Sequence, residues 1–174
     1  MSFRILMRLA TVATLALALT VPAQAADKAT YAQTARDGIK AMATGSLADV
    51  DGWASKMEAL SKIGLDYCRE VGAKDAKAKK YLDFVVANVE KIKATDFAKF
   101  EDEWGDSGAG FKAAGIDTAE FDQTGAAASA GDAVIHPLAA LAALREFKKT
   151  KSADLLKKAS EELEEVLGHL KHLE

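Results

Sequence analysis

Three histidines supply the imidazole groups with which this chain could bind a metal ion or a haem. His136 is the only polar side chain between Ala133 and Leu144, and Pro137 follows it directly. A proline disfavours helical geometry at the residue before it, so His136 marks a kink or, if Pro137 begins a helix, the cap of that helix. The pattern therefore fits a hydrogen-bonded histidine at a helix start or kink, or a ligand to haem or a transition metal.

The other two histidines lie near the end of the chain, on a predicted amphipathic helix. Glu162, Glu165, His169 and His172 share one side of that helix, and Glu165 and His169 are four residues apart, so they can chelate one ion. Glu165, His169 and His172 are therefore our candidate metal ligands. The alternative is an ordinary solvated charged face, because the carboxylates do not lie on the apolar side of the helix.

Haem is the second cofactor that the residue types allow. Met42 and Met57 are candidate axial ligands that could pair with His136 in a helical bundle, although methionines at this spacing are also common core residues. Covalent c-type haem is excluded, because the chain has one cysteine and therefore no Cys-x-x-Cys-His motif.

Catalytic arrangements are missing from the sequence. Gly105 to Gly108 has the letters GDSG that surround the nucleophile of trypsin-like serine proteases, but every histidine follows Ser107 and the flanking segments read as helix. We interpret the glycine-rich stretch 105–117 as a loop, which could cover an apolar pocket between helices. No catalytic residue is predicted, and we expect a protein that is not an enzyme.

The first 25 residues have the pattern of a secretory signal peptide. Arg4 and Arg8 precede an apolar stretch at 10–21, and Ala23 to Ala25 form a small-x-small cleavage site. We therefore expect cleavage near Ala25 and a periplasmic or secreted mature protein, residues 26–174.

The composition of the mature chain limits its partners. Cleavage removes two arginines and no acidic residue, so the formal net charge falls from −3 to −5, which argues against nucleic acid as a partner. We identify no apolar stretch long enough to span a membrane in residues 26–174. The single cysteine, Cys68, permits no intrachain disulfide, so it is either packed in the core or available for a disulfide-linked homodimer.

The remaining residues indicate one all-α domain. Alanine, leucine, lysine and glutamate dominate, and apolar residues recur at spacings of three and four. We predict an up-down-up-down bundle of about four long helices plus a short N-terminal helix, with Ser46, Asp75, Thr118 and Ser152 as caps. The apolar segment 133–144 should form the central, buried helix.

These observations favour an exported, non-catalytic helical bundle that binds a small ligand or a protein partner. The alternative is a periplasmic bundle that binds non-covalent haem or a metal ion, for electron transfer or metal handling. An enzyme of unknown class is the second alternative.

Overall fold

The computed structural model describes residues 28–105, 108–117 and 125–173, and within them every regular element is helical. The predicted signal peptide lies outside the described residues. Seven α-helices are present in these ranges, and a single 3₁₀ turn, Leu170–His172, follows the last of them. The helices are α1 (Lys28–Met42), α2 (Val50–Lys74), α3 (Lys79–Ala94), α4 (Phe97–Trp104), α5 (Ala109–Ala113), α6 (Ala126–Thr150) and α7 (Ala153–His169).

The all-α prediction is confirmed, but the helix count differs from the predicted one. The chain turns at Thr95 and Asp96, so the region that could have been one bent helix is divided into α3 and α4. The predicted loop 105–117 contains the short helix α5. At α2 the cap is Asp49, whose carboxylate accepts a hydrogen bond from the amide of Gly52, and the predicted Ser46 lies three residues before it.

The helix α6 is the centre of the fold, as its apolar sequence predicts. It packs against α2, α3, α4 and α7, and most of its residues are buried on every side. The helix is also long and apolar enough to cross a membrane by length and composition, which corrects our expectation that no such segment exists. The predicted apolar segment starts at Ala133, whereas the helix adds mostly small residues from Ala126 onward. Of the window long enough to cross a membrane, 83% is buried among other helices, as in a core helix.

Of the two positions that the sequence allows for His136, a helix start or a kink, the helix start is wrong. The helix begins at Ala126, with Gly125 before it, and continues through Pro137 to Thr150. His136 is therefore a mid-helix residue with a full turn of helix on either side. The predicted cap Thr118 lies outside the described residues.

A proline inside a helix removes one backbone hydrogen bond, and here a tyrosine from another helix replaces it. Pro137 has no N–H to donate to the carbonyl of Ala133, four residues earlier. The hydroxyl of Tyr31, which is fully buried in α1, donates to that carbonyl at 2.8 Å. On α2, Gly64 lies so close to the Ala133 carbonyl that a Cβ atom would overlap it. Three helices therefore meet at the carbonyl that the proline leaves without a donor.

We expect Tyr31→Phe to lower the free energy of unfolding by about 1–3 kcal/mol, because a buried carbonyl loses its donor. In a Pro137→Ala background, residue 137 regains its N–H and can donate to the Ala133 carbonyl. Tyr31→Phe should then lower the free energy of unfolding by clearly less. Urea unfolding of the four proteins of this double-mutant cycle measures both values. Equal losses in the two backgrounds would contradict the assignment of Tyr31 as the replacement donor.

Candidate metal centre

The helices α6 and α7 form a hairpin, and its geometry aligns their polar residues. Lys151 adopts the left-handed conformation, with φ of 60°, and Ser152 follows it directly before α7. His136 lies 15 residues before Lys151, and Glu165 lies 14 residues after it. Because each residue adds about 1.5 Å to a helix, the two side chains reach the same level of the hairpin. Asp132 and His169 are matched in the same way one turn further on.

His136 is bound to two carboxylates of α7. Its Nδ1–H donates to Oε2 of Glu162 at 2.9 Å, and Oε2 of Glu165 lies 3.7 Å from the same nitrogen. The His136 side chain is 16% exposed and that of Glu162 is 22% exposed, whereas Glu165 is largely exposed. The imidazole therefore lies at the edge of the core with its polar atoms directed to the hairpin.

A second pair of groups extends this cluster. Nδ1 of His169 lies 3.3 Å from Oδ2 of Asp132, and the rings of His136 and His169 stack with centroids 5.9 Å apart. Two sets of potential metal-ligating atoms result, in each of which all atoms lie within 4.8 Å of one another. The first set is Asp132, His136 and His169, and the second is His136, Glu162 and Glu165.

The structure brings some of the predicted site residues together and separates others. Glu165 and His169, predicted as ligands to one metal, and His136, predicted as a ligand to a metal or haem, belong to one cluster. His172 lies in the 3₁₀ turn after α7 and is not part of either set of ligating atoms in the described ranges.

The two methionines predicted as haem ligands are buried in the core, in α1 and α2. Neither Met42 nor Met57 is among the described residues that line the cavity next to His136. The structure therefore does not bring the methionines to His136 at that cavity.

Sequence reasoning missed Asp132, and it gave Glu162 no role as a ligand. Their spacing could have indicated both of them. Asp132 and His136 are four residues apart on α6, and Glu162 is seven residues before His169 on α7, so each pair shares one face of its helix. These spacings predict a cluster only when the register of α6 against α7 in the hairpin is known. On α7 alone, Glu162 has the position of a residue on a solvated face; its contact with His136 depends on α6.

The carboxylates make the site favourable for positive charge. Burial by itself lowers the pKa of His136, but the hydrogen bond to Glu162 and the charges of Asp132, Glu162 and Glu165 outweigh it, so the pKa is raised above 6.5. A cation is therefore stabilised at this place, whether it is a proton on the imidazole or a metal ion.

The five residues of the cluster line a cavity of about 150 Å³. Aromatic side chains from α3, α4 and α5 line it as well, namely Tyr81, Phe100, Trp104 and Phe111. Trp104 is held in place, because its Nε1–H donates to Oγ1 of Thr95 at 2.9 Å and its ring meets Phe111 edge-on. Phe111 belongs to the predicted loop 105–117, so this stretch contributes a wall of the cavity.

Cys68 lies in the interface of α2 and α6 and belongs to neither set of ligating atoms. The thiol is 1% exposed and donates to the carbonyl of Ala130 at 3.2 Å. Burial raises the pKa of Cys68 to about 12. The packed alternative is therefore the one that the structure supports, and a disulfide-linked homodimer would require the interface of α2 and α6 to open.

The donor atoms at the centre are imidazole nitrogens and carboxylate oxygens. This combination suits zinc, iron(II), manganese and related divalent ions, whereas thiolate-seeking ions such as copper(I) find no sulfur ligand in either set. Comparisons with protein-family models, curated proteins and solved structures found no match for this chain.

The metal-free protein should lose stability as the pH rises, because the pKa of His136 in the folded state is raised above its unfolded value. The contribution is fully present below the unfolded value of about 6.5 and disappears as the pH rises through the folded value. Urea unfolding in the presence of a chelator, between about pH 6 and 9, measures this dependence. His136→Gln should flatten it, and an unchanged slope in this variant would contradict the assignment to His136.

Proposed function

We propose that this protein is an exported, non-catalytic helical protein that binds one divalent transition-metal ion between α6 and α7. The observation that carries the proposal is the convergence of two imidazoles and three carboxylates from two helices at the lining of one cavity. His136 is central to it, because it belongs to both sets of ligating atoms.

The distances between the donor atoms suit a metal ion of this class. Ligand atoms bound at 2.0–2.1 Å in a tetrahedral zinc site lie about 3.3 Å from one another. Nδ1 of His136 lies 2.9 Å from Glu162 and 3.7 Å from Glu165, and Nδ1 of His169 lies 3.3 Å from Asp132. The pairs in both sets are therefore near the spacing that an ion of this class requires. Because the ligands come from the two arms of a short hairpin, the backbone holds them at one level before the ion binds.

Charge supports a divalent cation. Asp132, Glu162 and Glu165 bring three formal negative charges to a place where the imidazoles are only partly exposed. Neutral imidazoles and ionised carboxylates are the forms that bind metal, and a divalent ion relieves the repulsion between the acids. The same acids raise the pKa of His136, which indicates that the cluster stabilises a positive charge.

Haem is less well supported than a bare ion. A cavity of about 150 Å³ is smaller than the 300–1,000 Å³ of typical drug-sized ligand pockets, and a porphyrin needs more room than it provides. With Met42 and Met57 buried elsewhere, an axial pair with His136 has no support at this cavity.

Zinc titration of the chelator-treated chain by isothermal calorimetry tests the proposal. We expect saturable binding of one Zn²⁺ per chain, and His136→Ala and His169→Ala should each weaken it by about 100-fold or more, because each removes a direct ligand. The wild-type melting temperature should rise with the Zn²⁺ concentration.

His172→Ala is the matched control for this titration, because it removes an imidazole only three residues beyond His169. It should leave the affinity for Zn²⁺ within about twofold of wild type. A chain that binds no Zn²⁺, Co²⁺, Mn²⁺ or Fe²⁺, or a His172→Ala variant as impaired as His169→Ala, would refute the site.

The proposal includes export, which rests on the N-terminal sequence pattern. Positive residues, an apolar stretch and a small-x-small site in residues 1–25 support cleavage after Ala25 and a periplasmic or secreted location. N-terminal sequencing of the protein from the extracytoplasmic fraction should begin at Ala26. An intact Met1 in the cytoplasmic fraction would contradict it.

We also propose that the long helices α2, α3, α6 and α7 alternate in direction. Only two residues connect α6 to α7 and four connect α2 to α3, and the helices of each pair pack together, which supports antiparallel neighbours. In such an arrangement α6 has a partner helix on several sides, which supports a core role for it and not a membrane-spanning one.

A further inference from the structure

The candidate metal centre has its ligating residues on two helices only. All five belong to α6 and α7, whereas Tyr81, Phe100, Glu101, Trp104 and Phe111 of α3, α4 and α5 also line the cavity. Phenylalanine and tryptophan rings offer no lone pair to a metal ion, and Glu101 belongs to neither set of ligating atoms. An ion held by α6 and α7 would therefore keep any coordination position that these residues leave open available to a ligand in the cavity.

The cavity has the size of one aromatic ring. Its volume is about 150 Å³, and an apolar cavity of that volume is known in another protein to bind benzene. The aromatic wall is densely packed, with Tyr81 and Phe111 ring centroids 5.5 Å apart and Trp104 edge-on to Phe111 at 5.9 Å. The four aromatic side chains are only 1–5% exposed, so a ligand ring in the cavity would contact the small part of each that the cavity reaches. Ala128 and Ile135 of α6 also line the cavity.

The charge of the cavity selects against anions. Glu101 lines it as well, so it is lined by four acidic residues, Glu101, Asp132, Glu162 and Glu165. A divalent ion balances only two of these charges, and a negatively charged ligand would meet the remaining two in a partly enclosed space. An uncharged ligand does not meet this repulsion. Ions that accept imidazole also accept other aromatic nitrogen donors.

We infer that the cavity binds a small, uncharged, single-ring nitrogen base, whose ring nitrogen coordinates the metal ion while its carbon atoms pack against the aromatic wall. This inference rests on the proposed metal function and specifies its ligand.

The Co²⁺-loaded full chain tests the inference, because the visible absorption of Co²⁺ changes when a ligand enters its coordination shell. Pyridine should change the spectrum saturably. Benzoate, a ring of similar size with an anionic head, should bind at least about tenfold more weakly, because of the uncompensated acids. Benzoate binding as tightly as pyridine would overturn the inference, as would a spectrum that pyridine leaves unchanged.

Ala128→Leu is designed to fill the cavity without removing a metal ligand. It should weaken pyridine binding at least about tenfold, while Co²⁺ affinity stays within about twofold of wild type. Ala73→Leu is the matched control, because Ala73 is an exposed residue of α2 and its substitution should change neither value. Unchanged pyridine affinity in a folded Ala128→Leu variant would overturn the inference. If this variant does not fold, the comparison of pyridine with benzoate on the unmodified chain still tests the inference.

The outcomes separate the two levels of the proposal. If Co²⁺ does not bind, the metal function and the ligand inference both fail. If Co²⁺ binds with the dependence on His136 and His169 described above but pyridine does not join it, only the ligand inference fails.

Discussion

The carbonyl of Ala133 is the point on which the described fold depends most. Pro137 deprives it of its helical donor, and α6 is too deeply buried for water to take that place freely. Tyr31 supplies the missing hydrogen bond, and burial keeps the pKa of this tyrosine well above its usual range, so the hydroxyl remains a donor. Gly64 allows α2 to approach the same atom. One irregularity in α6 therefore fixes the positions of α1 and α2 around it.

The same stretch of α6 carries the candidate metal centre. His136 directly precedes the proline, and Asp132 lies one turn earlier, directly before Ala133 in the sequence. The contacts that hold the carbonyl in place therefore also hold the backbone from which these two side chains project. On the other side of the centre, the two-residue connection after Thr150 sets the level of α7. Affinity for an ion would then benefit from a backbone that is ordered before the ion arrives.

Local sequence patterns predicted what depends on a single helix. Period and composition predicted the all-α class and the burial of segment 133–144. They did not give the cluster, because Asp132, Glu162 and His169 become neighbours only when two helices are set side by side. The rule that proline disfavours helix at the preceding residue left a helix start or a kink open for His136. A single-helix pattern could not show that Tyr31, 106 positions before Pro137, offsets the lost hydrogen bond within a continuing helix. Met42 and Met57 have the spacing of core residues, and they are core residues.

The position of Cys68 has a consequence for the chemistry of the chain before it is folded. Oxidants attack exposed thiolates first, and this sulfur is neither exposed nor ionised in the native fold. Its vulnerability is therefore confined to the interval before α2 closes onto α6. Alkylation of this one sulfur can therefore measure how fast α2 packs onto α6 and what fraction of the molecules is native, without an engineered cysteine.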